Sequence, residues 1–242
     1  MKHAMNALPA LACRACLRRA AVLVCAAALT ACGALPQPPQ QPQLYDLGLS
    51  SAAPASASPS SANALALDSM ETPAGVGLGT TLYYRLAYAN DQQLRPYQRA
   101  RWSQPPATLV QQRLREHLGA QRSVLSSAER TIVGAGEPTP PVLRLALEEF
   151  VQVFPEAHSS HGLLRLRATL VQPQARGERL LGQRLFTVQR PASSLDAAGG
   201  VRALSEATDQ VAQELAQWLA SLPAGAAPAP APAPAPAPSA AQ

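Results

Sequence analysis

Hydrophobic and polar positions alternate from Thr81 to Ala89. Leu82, Tyr84, Leu86 and Tyr88 point one way, and Tyr83, Arg85 and Ala87 the other. A period of two marks a strand with one buried face. Two longer stretches repeat the pattern. Val142 to Phe154 sets Leu143, Leu145 and Leu147 on one face, and Gly162 to Gln172 does the same with Leu164, Leu166, Ala168 and Leu170. Arg179 to Arg190 reads as a third strand, joined to the second through Pro173 to Glu178, a hairpin loop containing Gly177. The period changes twice. Ala107 to Leu118 follows Pro105-Pro106, spaces Val110, Leu114 and Leu118 by four, and ends at Gly119, which predicts an amphipathic helix. From about Asp196 or Gly200 to Leu222, the residues Val201, Leu204, Val211, Leu215, Trp218 and Leu222 form one apolar stripe suited to lie on a sheet. Leu44 to Leu49 and Arg130 to Val133 are shorter strand candidates. Ser50 to Pro73 is rich in Ser, Ala and Pro and reads as a loop, with a short helical turn near Leu65 to Met70. The order is strand, strand, helix, three or four strands, helix. This predicts an α/β fold: a single domain with a mixed twisted β-sheet and two packed amphipathic helices.

The first 31 residues follow a different logic. Lys2, Arg14, Arg18 and Arg19 form a basic start, and Ala20 to Leu29 is an unbroken run of ten apolar residues. Such a run is too short to span a bilayer, which takes about 20 residues. Small residues lead on to Leu29-Thr30-Ala31-Cys32, the form of a lipobox. Residues 1–31 thus read as a lipoprotein signal peptide, with Cys32 as the first processed residue and the site of lipidation. An ordinary export signal with a chance cysteine is the other reading; basic start, apolar run and lipobox in that order favour the first. Each buried methylene contributes roughly 0.8 kcal/mol to an acyl anchor. Gly33, where an aspartate would favour retention in the inner membrane, points to the periplasmic face of the outer membrane. Residues 32–43 hold Pro36, Pro38, Pro39 and Pro42 among glutamines, an extended tether of roughly 30 Å at polyproline rise. Residues 223–242 end in alternating Ala and Pro, which no helix or central strand accommodates, and are expected to form a disordered tail. The folded domain is then 44–222, with residues 50–75 as a low-complexity loop.

Charge and cysteine usage sharpen this picture. The chain carries a net charge of +5, but four of its 20 basic side chains precede Cys32. The 16 that remain face 15 acidic ones, so the processed chain is +1. No basic tract remains to argue for nucleic acid. Cys13, Cys16 and Cys25 all precede Cys32, so the Cys13-x-x-Cys16 spacing carries no weight as a redox or zinc half-site. Lys2 is the only lysine, which excludes a phosphate-gripping loop lysine or a Schiff base in the processed chain.

Candidate chemistry is sparse. His158-Ser159-Ser160-His161 has no third metal ligand nearby in sequence and reads as a solvated loop between strands. Glu148 and Glu149 are adjacent on a strand, so alternation points them to opposite faces and denies them the role of a close carboxylate pair. The glycines at 75, 77 and 79 open no helix after a strand, and no Gly-x-Ser-x-Gly elbow is present. No catalytic residue, metal ligand or cofactor is expected beyond the covalent lipid on Cys32. Trp102, beside Arg101, is either a core residue or a contact to a partner or to lipid. The face bearing Tyr83 and Arg85 is the better partner surface, and Tyr83, Arg85, Arg101 and Trp102 are the candidate partner-binding residues.

The run Leu82-Tyr83-Tyr84-Arg85-Leu86-Ala87-Tyr88-Ala89, then Tyr97 and Arg101-Trp102 after a short spacer, leads into a proline pair, the Leu109 to Leu118 helix and a terminal helix ending near Trp218-Leu219. Behind a lipobox, this arrangement resembles the auxiliary lipoproteins of ABC-type transporters, the PqiC-like family. The resemblance implies a non-enzymatic lipoprotein. It would work with an inner-membrane permease, an ATPase and a periplasmic mammalian-cell-entry (MCE) protein in lipid transport between membranes. It would dock the MCE assembly or form a homo-oligomeric ring around its tip. The alternative is a structural or regulatory envelope lipoprotein that binds peptidoglycan or its synthases. A periplasmic hydrolase lacks a recognisable nucleophile and base.

Overall fold

The computed structural model describes residues 41–49, 64–72, 79–126, 128–129 and 139–222. The signal peptide, the lipobox, Cys32, most of the tether, the Arg130 to Val133 strand candidate and the terminal tail lie outside them.

Among the described residues, eight strands and two helices follow in the order β1 (Gln43–Tyr45), β2 (Leu65–Leu67), β3 (Thr81–Leu86), β4 (Leu94–Trp102), α1 (Pro106–Gly119), β5 (Val124–Ser126), β6 (Val142–Glu156), β7 (Ser159–Gln174), β8 (Gly177–Pro191) and α2 (Ala197–Ser221). The α/β class and the mixed sheet with two helices are as the periodicity predicts. β6 organises the sheet. One edge pairs with β7 in antiparallel fashion, and β7 pairs with β8 in the same way. The other edge is shared. β2 lies parallel to its first residues, with Leu67 opposite Leu143, and β3 lies parallel to its end, with Tyr84 opposite Gln152. The sheet therefore forks, carrying β4 and β1 beyond β3 and β5 beyond β2.

Four details depart from the sequence reading. Leu65 to Leu67 is a buried strand rather than a helical turn. It pairs with β5 on one side and β6 on the other. Leu65 and Leu67 enter the main core and Ala66 packs with Val142 and Val171 on the other face, so all three side chains are covered and no alternation is left to read. The spacer before Arg101-Trp102 belongs to the nine-residue β4, in which only Ala100 and Trp102 are buried, so its period is hard to read. The first strand stops at Tyr45. Beyond it the Asp46 carboxylate accepts the Gly48 N–H at 2.7 Å, Gly48 takes φ +70°, and Leu49 is exposed. Finally, the His158 region is a tight β6–β7 turn, and only part of it is solvated. Ser160 is buried and accepts a hydrogen bond from Gln152 Nε2 at 2.9 Å.

Both helices cover one face of the sheet. Val201, Leu204, Val211, Leu215 and Trp218 of α2 join Leu143, Leu145 and Leu147 of β6 and Leu164, Leu166 and Phe186 of the neighbouring strands in one core, which also takes in Leu114 and Leu118 of α1. Each large apolar side chain so buried is worth about 1.5–3 kcal/mol. α2 starts at Asp196, whose carboxylate accepts the Gly199 N–H at 2.9 Å. Its first two turns approach the sheet closely. A Cβ on Gly162 would stand 2.8 Å from the Leu204 backbone N, and one on Gly200 would stand 2.0 Å from Gln152 Oε1. Gln152 itself is fully buried, and its Oε1 accepts the Tyr97 hydroxyl at 2.8 Å. Burial, then the neighbouring Tyr84 and Asp196, push the Tyr97 pKa upward and keep the phenol a donor. Arg113 of α1 forms a buried clasp. It donates to Asp209 of α2 at 2.7 Å and to the Leu47 and Gly48 carbonyls at 2.7 and 2.6 Å.

Two substitutions probe this packing. Gly162→Ala forces α2 off the sheet and should lower stability by about 1–3 kcal/mol in denaturant unfolding; a change below 0.5 kcal/mol would contradict the close approach. Asp196 is held below its ordinary pKa by the Ser194 hydroxyl first and then by the Gly199 N–H. Its depressed value means that its contribution is present above the unfolded pKa, about 3.9, and fades as pH falls through the folded value. The stability gap between wild type and Asp196→Ala should be about 1 kcal/mol at neutral pH and should close on acidification below about pH 4. A gap independent of pH would refute the capping role.

Candidate functional site

The opposite face of the sheet carries neither helix. Its apolar side chains fall into two small clusters. Val151, Val153 and Leu163 pack with Tyr83 and Ala87 at one end, and Ala66, Val142 and Val171 form the other. Between them runs a band of paired charges.

The band exists because β6 is irregular. Leu147 opposes Leu166 and Glu149 opposes Arg165, so Glu148 is an extra residue in a β-bulge. The bulge brings both carboxylates to the face that carries Arg165 and Arg167. Glu148 Oε1 lies 2.8 Å from Arg167 Nε and 2.7 Å from its Nη2. Arg165 bridges the pair, with Nη2 3.4 Å from Glu148 and Nη1 3.8 Å from Glu149. Arg85 of β3 reaches Glu149 at 3.3 Å. The expectation that Glu148 and Glu149 point apart is thus corrected. The spacing of three between the core residues Leu147 and Phe150, where strict alternation requires two, was the signal in the sequence. Towards the other end, Arg144 grips Glu178 with two bonds of 2.7 and 2.8 Å and lies 3.4 Å from Asp68. Hydrogen bonding to Glu178 raises the Arg144 pKa.

The four candidate partner residues separate. Tyr83 and Arg85 lie together on this open face, Tyr83 in the apolar cluster and Arg85 in the charge band. Arg101 fills a second irregularity. The register shifts so that Thr81 opposes Arg101 while Tyr83 opposes Pro96, and the Arg101 guanidinium donates to the Tyr97 and Ala100 carbonyls inside this bulge of β4. Trp102 is 1% exposed, in the core, with its ring 5.3 Å from that of Phe150. Its partner-contact reading is therefore replaced by a packing role, because it follows the inward-facing Ala100 at a spacing of two. His158 sits exposed at the hairpin turn, 3.2 Å from Glu156, whereas His161 lies within β7, where burial lowers its pKa. Among the described residues no three His, Cys, Asp or Glu side chains gather as a metal site, and no helix is long and apolar enough to cross a membrane.

The fold and its open face define a class: an α/β domain with a forked, mixed sheet, one face sealed by two helices and the other lined with paired charges. Among the solved structures that share the fold are two with TM-scores above 0.5. One is a Xanthomonas campestris protein, 20% identical, with a TM-score of 0.59 over 73% of this chain and 94% of that one. The other is an uncharacterised protein, 14% identical, with a TM-score of 0.55 over 74% of this chain and 99% of that one. No curated protein matches. The family of ABC-type transport auxiliary lipoprotein components matches residues 45–216, and the chain belongs to that family.

The charge band should be strongly coupled but modest in energy, since Arg165 and Arg167 remain about 40% exposed. A double-mutant cycle of Glu148→Gln with Arg167→Met should give a coupling of about 0.2–1 kcal/mol, falling in high salt. Coupling of zero at low salt would show that the Glu148–Arg167 pair is not formed in solution.

Proposed function

We propose that this chain is the non-enzymatic, outer-membrane end of an MCE-type lipid-transport system. Cys32 carries the acyl anchor, residues 33–43 hold the domain off the bilayer, and the open sheet face docks the periplasmic MCE protein. The permease and ATPase of the same system stand at the inner membrane. Family membership supports the transport role, and the open face, with Tyr83 and Arg85 side by side, supports docking there. Arg101 lies on the same face by alternation with Trp102 but is engaged by its own backbone, so it shapes β4 and contributes less to contact. Partly exposed aromatic and arginine side chains are the types that anchor interfaces.

Deleting the chain should sensitise the outer membrane to detergents, and crosslinked envelopes should yield the MCE protein with it. Arg85→Glu, which sets three acidic groups together on β3 and β6, should cut that recovery at least tenfold while the domain stays folded. Unchanged recovery would remove the open face from the docking site. Binding to purified sacculi or peptidoglycan synthases with no MCE partner would favour a structural envelope role.

A further inference from the structure

On the central strands, arginines are matched by carboxylates: Arg85, Arg144, Arg165 and Arg167 each have one at 2.7 to 3.4 Å. β8 differs. Arg179, Arg184 and Arg190 are all exposed, and among the described residues none has an acidic partner. Arg184 lies over the Phe186 ring instead, 4.9 Å from its centroid. The three share one face. Arg179 opposes Gln172, Arg184 opposes Ala168 and Arg190 opposes Gly162. Residue parity alone would set Arg179 on the other face, but the register shift between Leu170 and Val171, which leaves Leu181 as an extra residue, restores it.

β8 is also an edge. Among the described residues only β7 pairs with it, so along its 15 residues, about 50 Å, every second residue turns its N–H and C=O outward. Charged side chains commonly defend such an edge against an added strand. Here the charges left without an ion-pair partner have one sign, since Glu178, the only carboxylate on β8, is taken up by Arg144. Antiparallel addition of a second copy of β8 would bring arginines near arginines, which is unfavourable. An extended segment with carboxylates at alternate positions gains both backbone hydrogen bonds and neutralisation of the three arginines. We propose that the outer edge of β8 is a strand-addition site for an extended acidic segment of another polypeptide, selected by Arg179, Arg184 and Arg190. The edge is distinct from the open face assigned to docking, and its occupation does not depend on the MCE reading.

Amide hydrogen exchange on the full chain in neutral detergent at low salt tests this. The probe is a thirteen-residue peptide of alternating Glu and Val capped with Thr, long enough to run from Arg179 to Arg190, and the control replaces each Glu with Lys. The acidic peptide should slow exchange of alternate β8 amides at least tenfold, the Lys peptide should not, and the triple variant R179E/R184E/R190E, folded by circular dichroism, should reverse the preference. No protection, or equal protection by both peptides, would overturn the proposal. So would β8 protection before any peptide is added, whether it rises with protein concentration (a second copy on the edge) or is lost on deleting residues 223–242 (the chain's own tail).

Discussion

Gly162 lets α2 lie against β7 at backbone distance, and much of the architecture depends on that approach. With no Cβ there, the Leu204 backbone settles on the sheet, and Gly200 does the same over Gln152. The helix then reaches Leu143 to Leu147 and Phe186 with its apolar stripe. α1 is held to it by Arg113, whose buried guanidinium ties Asp209 to the carbonyls that follow β1. One face of the sheet is thereby sealed, and what the domain presents to other molecules is left to the opposite face and to the strand edges.

That division has functional consequences. A sealed face supplies stability without disulfides, consistent with a chain whose four cysteines lie at or before position 32. The open face holds charges in mutually neutralising pairs, so its net field is small, and its apolar patches are limited to the two ends of the band. Such a surface stays soluble when free and can still offer Tyr83 and Arg85 to a partner. On the proposed reading, a subunit tethered near its partner would meet it at high effective concentration, so a modest interface would suffice.

Periodicity revealed most of the fold because the long elements bury one face only. β6, β7, β8 and both helices follow from spacings of two and of three to four. Pro105-Pro106 and Gly119 bound the first helix and Gly177 marks the β7–β8 turn, while the sequence leaves the start of the second helix between Asp196 and Gly200. The short parallel strand Leu65–Leu67 was not legible, since a strand covered on both sides shows no alternation. β4 was hidden by its bulge and its exposed edge-like residues. The charge band was missed for the same physical reason: a one-residue bulge at Glu148 reverses the facing of everything after it, and only the Leu147 to Phe150 spacing betrays it. For Trp102 the sequence left packing and partner contact open; burial beside Phe150 decides for packing.

Site-specific photocrosslinking in living cells separates the two faces of the sheet most directly. A photoreactive residue replaces either Tyr83, on the open face, or Arg202, exposed on α2. Capture of the MCE protein from position 83 and not from position 202 is the expected result. Capture from 202 alone would place the partner on the helical side and contradict docking through the open sheet.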